Sequence, residues 1–183
     1  MRKIIPVLFV LACSRYLSGQ PLDAPRFEVG PVFGATTFGP AISSHDMRAA
    51  FGGRAVLNLH RRIAVEYQMA YFRSPVSTSA TQGSGHLKWK IWEEKSGILN
   101  IFTVLGPGFM REEDELIGGT YHDVYKYTSI AIDFGAGIEV VPHRRFSVRL
   151  DLTDFYAGTK FAGTSPRFWD HNLDFKAAIM CRF

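Results

Sequence analysis

"IAIDFGAGIEV" (residues 130–140) is the stretch on which the fold turns. Ile130, Ile132, Phe134, Ala136, Ile138 and Val140 are apolar, whereas the residues between them, Ala131, Asp133, Gly135, Gly137 and Glu139, are small or charged. A helix repeats every 3.6 residues and scatters these apolar side chains around its axis; a strand, whose side chains alternate between two faces, gathers all of them on one. "RFSVRLDLTDF" (145–155) sets Phe146, Val148, Leu150 and Leu152 against Ser147, Arg149, Asp151 and Thr153. "RIAVEYQMAYF" (62–72) sets Ile63, Val65, Tyr67, Met69 and Tyr71 against Ala64, Glu66, Gln68 and Ala70. Each segment predicts a strand with one apolar and one polar face.

Followed outward, the alternation predicts eight strands, at about 26–38, 47–59, 62–74, 86–93, 98–111, 128–141, 145–156 and 171–183. The links at 60–61, 94–97 and 142–144 are short, and those at 39–46, 75–85, 112–127 and 157–170 are long and rich in Ser, Thr, Gly, Pro and charge. The expected fold is all-β: an eight-stranded antiparallel up-and-down barrel with tight turns at one end and long loops at the other. Strands of roughly 9–11 residues suit a tilted crossing of hydrocarbon, and short turns on one side with long loops on the other follow the plan of bacterial outer-membrane barrels. Closure leaves no strand edge unpaired in lipid.

On this reading the apolar alternates face lipid, and Glu28, Arg54, Glu66, Lys88, Lys90, Asp133, Glu139, Arg149, Asp151, Asp174, Lys176 and Arg182 face inward, with both signs near balance. An eight-stranded interior is just wide enough for side chains to fill, so these groups are expected to interlock and leave little lumen. Tyr71, Phe72, Trp89, Phe109, Phe155, Tyr156 and Phe175 fall near strand ends, where interfacial girdles are expected.

The 183 residues suffice for one domain, and 14% aromatic content with 17 glycines agrees with an all-β chain. Residues 1–19 read as a secretory signal peptide: Arg2 and Lys3 precede the apolar "IIPVLFVLA" (4–12), which is too short to span a bilayer, and small residues lead to cleavage after Gly19. Residues 20–183 are then the barrel domain. "VLAC" (10–13) offers a second reading, in which Cys13 is lipidated.

The chain has 21 basic side chains against 17 acidic ones; the leader holds Arg2, Lys3 and Arg15 and no acid, so the remainder carries a net of +1. Such a balance gives nucleic-acid binding no compositional support. After cleavage only Cys181 remains, which excludes an intrachain disulfide. No later window holds eighteen consecutive apolar residues, so a helical span is excluded.

"FEVGPVFGAT" (27–36), "GRAVLNLHRRIAVEYQMAY" (53–71), "LGPGF" (105–109), "IDFGAGIEVVPHRRFSVRLDLTDF" (132–155) and "HNLDFKAAIMCRF" (171–183), in that order, resemble the small outer-membrane β-barrel family related to the transmembrane domain of OmpA. The resemblance implies a monomer in the outer membrane of a Gram-negative cell, in contact with outer-membrane lipid and lipopolysaccharide and without cofactor or metal. It also implies insertion by the outer-membrane assembly machinery, which reads a C-terminal pattern. Lys176 takes its polar position, Ala178 stands where Gly is usual, Cys181 takes the apolar position and Phe183 the terminal aromatic one. Where the family often carries a basic residue on the inner face of the fifth strand, this chain has Val104 and Gly106.

His60 and His143 are placed in tight turns and His45, His86, His122 and His171 at or near the long loops, none at a metal-ligand spacing. "GPG" (106–108) and "GAG" (135–137) lie within strands with no following helix to present amides to phosphate, which favours close packing in a narrow barrel over nucleotide binding. "SSHD" (43–46) and "YHD" (121–123) contain the residue types of a lipid-modifying barrel enzyme without an ordered nucleophile and base. In "HLKWKIW" (86–92) alternation sends the lysines inward, with an outer part of Lys88 free to meet lipopolysaccharide. A non-enzymatic structural, adhesive or surface-interaction role through the loops is expected. A narrow pore, a lipid-modifying enzyme and a soluble lipocalin-like ligand-binding barrel are the alternatives.

Overall fold

A computed structural model describes residues 27–37, 47–73, 78–118, 121–159 and 168–183. The predicted leader, the cleavage site, Cys13, His45 and the "SSHD" segment lie outside the described residues. Eight strands follow one another: β1 (Phe27–Thr37), β2 (Met47–His60), β3 (Ile63–Arg73), β4 (Thr78–Glu93), β5 (Leu99–Gly118), β6 (Tyr121–His143), β7 (Phe146–Thr159) and β8 (Phe168–Arg182). Each pairs antiparallel with its neighbours in sequence, and β8 returns to β1, so the sheet is a closed barrel. Main-chain bonds between Phe183 N–H and the Phe27 carbonyl, 2.8 Å, and from Phe27 N–H to the Phe183 carbonyl tie the last residue to the first strand.

Strand limits differ from the sequence expectation at the long-loop end. The segments 78–85, 112–118 and 121–127 belong to strands rather than loops. Their Ser, Thr, Gly and charged residues lack apolar alternation because these parts of the ladder stand at or above the membrane edge. There pairing is set by the neighbouring strand and not by lipid. At the other end the connections are tight. In the β4–β5 turn Gly97, at φ 72°, takes the left-handed conformation that a side chain disfavours, and its N–H donates to the Glu94 carbonyl at 2.8 Å.

The two Gly-Pro dipeptides have matching effects. Proline has no N–H to donate, and the ladders lapse where Gly30-Pro31 faces β8 and Gly106-Pro107 faces β4. These seams lie four strands apart, on opposite walls. The tripeptide His-Arg-Arg recurs on the same plan, at 60–62 between β2 and β3 and at 143–145 between β6 and β7. With the two copies superposed, Glu66 corresponds to Arg149, and these opposed residues meet across the interior at 2.8 Å. The barrel thus consists of two four-stranded halves with related turns.

The faces are inside out relative to a soluble protein. Val65, Tyr67, Leu87, Trp89, Leu105, Ile132, Phe134, Leu150, Leu152, Phe175 and Ile179 are all exposed on the outer wall, while Arg149, Asp133 and Asp174 have no solvent access. A belt of this extent is larger than any patch a soluble monomer leaves in water and matches the lipid face of a transmembrane barrel. The lipocalin-like alternative, which needs apolar residues inside, is overturned. Two residues assigned to the aromatic girdle are also corrected: Phe72 and Phe155 point inward and are fully buried.

Candidate functional site

The polar alternates converge on the barrel axis. Arg149 of β7, over the Phe102 ring with 4.3 Å to its centroid, donates to Glu66 Oε2 at 2.8 Å and reaches Asp151 Oδ1 at 3.4 Å. Arg54 of β2 donates to Gln68 Oε1 at 2.7 Å and pairs with Asp151 on the opposite wall. Lys88 of β4 meets Glu139 of β6 at 3.2 Å and covers the other approach to Phe102, 4.6 Å from its centroid. Lys176 pairs with Asp174, which also accepts from Thr36 and, at 2.9 Å, from Gln82 Nε2. Toward the short turns Glu28 accepts from Asn58 at 2.9 Å and from Arg182 at 3.3 Å. Lys90 sits at the rim, 3.6 Å from Glu93.

All twelve residues assigned to the interior therefore lie on the inner face or its rim. Lys88 is 4% exposed, so the suggested contact of its outer part with lipopolysaccharide is ruled out by its position inside the wall. On β5 the inner positions carry Asn100, Phe102, Val104 and Met110, all buried, and Phe102 takes the centre that the surrounding cations stack upon.

The sequence pattern sets His86 near a loop, whereas the structure puts it at the heart of the network. Its Nδ1 lies 3.0 Å from Glu66 Oε1 and its Nε2 2.9 Å from Asp133 Oδ2, with Gln68 Nε2 3.4 Å from the same Asp133 oxygen. Carboxylate oxygens accept and do not donate, so the two imidazole contacts require two protons among Glu66, His86 and Asp133. Glu28, Glu66, Glu139, Asp151 and Asp174 each meet a lysine or arginine, whereas among the described residues the cationic partner in contact with Asp133 is His86. The signal that could have revealed this is parity: His86 and Lys88 are two apart, on the face opposite Leu87 and Trp89.

Apolar clusters stopper the charged layer. Val32, Val56, Ala64, Ala178 and Met180 pack together on the short-turn side; Ala50, Ala70, Phe72 and Ala80, and separately Met110, Ala131, Phe155 and Ala157, pack toward the long-loop end. The space for Phe102 and Phe155 comes from glycines. A Cβ on Gly137 would lie 2.5 Å from the Phe102 ring, and one on Gly108 2.7 Å from the Phe155 ring. Among the described residues, such a filled interior holds its charges in fixed pairs.

The remaining assigned positions are scattered. Of the C-terminal signal, Lys176 and Ala178 point inward and are buried, Cys181 is half-buried and Phe183 is 72% exposed on the outer wall. His171 is exposed near the long-loop end, 2.6 Å from Asp154 Oδ2, with its ring tilted against Tyr156 at 4.7 Å between centroids. His60 and His143 serve their own turns: each Nδ1 faces the backbone N–H two residues on, of Arg62 at 3.4 Å and Arg145 at 3.3 Å. "YHD" (121–123) is part of β6. No group of three His, Cys, Asp or Glu side chains capable of holding a metal occurs among the described residues.

An apolar outer wall around a salt-bridged, filled interior defines a small transmembrane β-barrel. Solved structures of that class match it. Neisserial surface protein A superposes with a TM-score of 0.65 at 8% identity, covering 86% of this chain and 96% of that one. The N-terminal barrel domain of Pseudomonas aeruginosa OprF gives 0.56 at 11%, covering 85% and 97%. Ail, the attachment invasion locus protein of Yersinia pestis, gives 0.54 at 13%, covering 86% and 96%. The shared property is the eight-stranded outer-membrane barrel fold. No family model and no curated protein matches the sequence.

Proposed function

We propose that this chain is a non-enzymatic outer-membrane barrel of a Gram-negative cell that acts through contacts made by its long-loop end. The observation that carries the reading is the β5–β6 hairpin. Its ladder continues to Gly118 opposite Tyr121, whereas β4 leaves β5 at Asp114 and β7 leaves β6 at Ala131. The hairpin therefore stands beyond its neighbours as a two-stranded tongue. Its base is charged: Glu113 pairs with Arg111 at 3.3 Å and with Lys126 at 3.2 Å. A sealed interior leaves this projection, rather than a lumen, as the part able to meet other molecules. One barrel of the same fold is named for attachment and invasion.

Orientation follows from the same reading, with the short turns and the first and last strand ends on the periplasmic side. The test is to replace the tongue beyond Asp114 and Tyr125 with a short turn, confirm folding by heat-modifiable gel mobility, and compare attachment and autoaggregation of cells carrying either form. Loss of attachment with the trimmed barrel is expected; identical behaviour would overturn the role of the hairpin. Recovery of the protein from periplasm as a detergent-independent soluble monomer would overturn membrane integration. A lipid A profile altered by expression of the gene would replace the non-enzymatic reading with a lipid-modifying one.

A further inference from the structure

The short-turn end carries a duplicated cationic feature that the interior network does not use. Arg61 and Arg62 follow His60, and Arg144 and Arg145 follow His143, and the two turns are built alike in detail. In each, the second arginine's N–H faces its histidine Nδ1. In each, that arginine's carbonyl accepts a main-chain bond from a further basic residue on the next strand: Lys90 N–H to the Arg62 carbonyl at 2.8 Å, and Arg182 N–H to the Arg145 carbonyl at 2.9 Å. Two corners of three basic residues thus face each other across the rim, on walls four strands apart.

Their surroundings select the kind of anion. Below the first corner the outer wall exposes Ile63, Trp89, Ile91 and Trp92; below the second it exposes Phe146 and Phe183. The arginines therefore stand at the level where hydrocarbon ends and head groups begin. All four turn arginines are exposed, and Arg62, Arg144 and Arg145 pair with no carboxylate among the described residues. Arg61 and Lys90 share Glu93, at 3.2 and 3.6 Å, and Arg182 meets Glu28 at 3.3 Å, so each corner is partly neutralised; only in the second do both turn arginines pair with no carboxylate among the described residues. Guanidinium groups match the oxygens of a phosphate in pairs.

We propose that the two His-Arg-Arg turns are paired binding sites for the phosphate of anionic phospholipid head groups in the leaflet facing the short-turn end, the Arg144–Arg145 corner being the stronger. This rests on the membrane reading above, and it anchors the barrel's depth and tilt by opposed contacts. A juxtamembrane arginine at an anionic surface contributes enough to raise affinity roughly fivefold, so losing both from one corner should weaken binding on the order of 25-fold.

The test uses the full chain refolded in a zwitterionic detergent, titrated with short-chain phosphatidylglycerol, phosphatidylcholine of the same chain length, or inorganic phosphate, with bound molecules counted by native mass spectrometry. Up to two phosphatidylglycerols per barrel are expected, with little phosphatidylcholine or free phosphate retained. R144S/R145S should remove the tighter site, R61S/R62S the weaker, and the fourfold variant both. Retention that is equal for the two lipids, unchanged in the fourfold variant, or matched by free phosphate would overturn the proposal. Because substitutions in turns can impair refolding, the unmodified chain supplies a second measurement. At about 1 M salt, where screening acts within roughly 3 Å, phosphatidylglycerol retention should fall steeply, and indifference to salt would overturn the proposal equally. Heat-modifiable mobility in the same samples reports the barrel itself, so failure of the membrane reading is seen separately from failure of lipid selectivity.

Discussion

Replacing Glu66 with glutamine tests whether the interior is held by its charges. Glu66 is 2% exposed and takes Arg149 on one oxygen, at 2.8 Å, and His86 on the other, at 3.0 Å. The amide preserves shape and leaves one acceptor for Arg149, but it withdraws the negative charge and turns an N–H₂ group toward a ring nitrogen. Arg149 then keeps only Asp151, at 3.4 Å, and the Phe102 ring. Removing one member of a buried pair costs about 3–5 kcal/mol, because the survivor stays desolvated without its partner. Glu113 offers the control: its pairs with Arg111 and Lys126 are more than a third exposed on the outer hairpin, where such contacts contribute about 0–1 kcal/mol. Urea unfolding of barrels refolded into lipid vesicles, read by heat-modifiable gel mobility, should show a large drop in midpoint for E66Q and almost none for E113Q. The double variant E66Q/R149M, which removes charge from both sides, should recover much of the loss. Equal midpoints for E66Q and E113Q, or a double variant as weak as the sum of its parts, would refute the claim that the cost is an unpaired buried charge.

Gly106 and Gly53 should respond oppositely to alanine. A Cβ at Gly106 would overlap the Gly85 carbonyl oxygen across the β4–β5 seam, whereas at Gly53 the nearest atom is 4.0 Å away. G106A should lose about 1–3 kcal/mol or fail to close, and G53A should refold normally, both measured by the folded fraction on a cold gel. Planar-bilayer recordings of the refolded protein should show no stable conductance steps, because Phe102, Arg149 and Lys88 occupy the axis; steady channels at neutral pH would contradict the filled interior. Deleting Phe183 removes the main-chain contacts with Phe27 as well as the outer aromatic. If it serves as an assembly address, the deletion should lower outer-membrane levels in cells far more than refolding yield in vitro. Equal effects in the two settings would leave Phe183 only a structural latch.

Lipid makes this fold unusually legible in sequence, because hydrocarbon demands the same polarity from every outward side chain. That demand made Ile130 through Val140 readable, and with it the inward register of Asp133 and Glu139. Legibility failed where the demand lapses. Residues 78–85, with their Ser, Ala, Thr, Gln and Gly, continue β4 above the belt, where neither face has to be apolar, so nothing in their order separates strand from loop. It failed again for Phe72 and Phe155, whose place near strand ends suggested the girdle. Their inward placement depends on space created elsewhere, for Phe155 by Gly108 on a neighbouring strand. His86 was obscured because histidine is common in loops, and its two acidic partners, Glu66 and Asp133, are 20 and 47 residues distant.

The division of labour within the barrel follows from how the charges are spent. Among the described residues six buried carboxylates face four buried cations, Arg54, Lys88, Arg149 and Lys176, with Arg182 at the edge and His86 bridging Asp133, which no described lysine or arginine contacts. Counting the two protons that the Glu66–His86–Asp133 bridge requires, this set is neutral, and its groups are committed to one another within strands, between neighbouring strands and, for Glu66 with Arg149, across the interior. Desolvated pairs of that kind cannot be surrendered to a passing solute without leaving a buried charge alone. An interior so occupied is suited to holding eight strands in register. Exposed charge is concentrated at the two ends: the Arg111–Glu113–Lys126 cluster on the projecting hairpin, and the duplicated arginine turns at the opposite rim. The symmetry of the turns, set against the hairpin that protrudes among the described residues, matches the two proposed tasks. A paired feature on opposed walls can level a cylinder in a plane of head groups, while an unpaired projection can single out one partner.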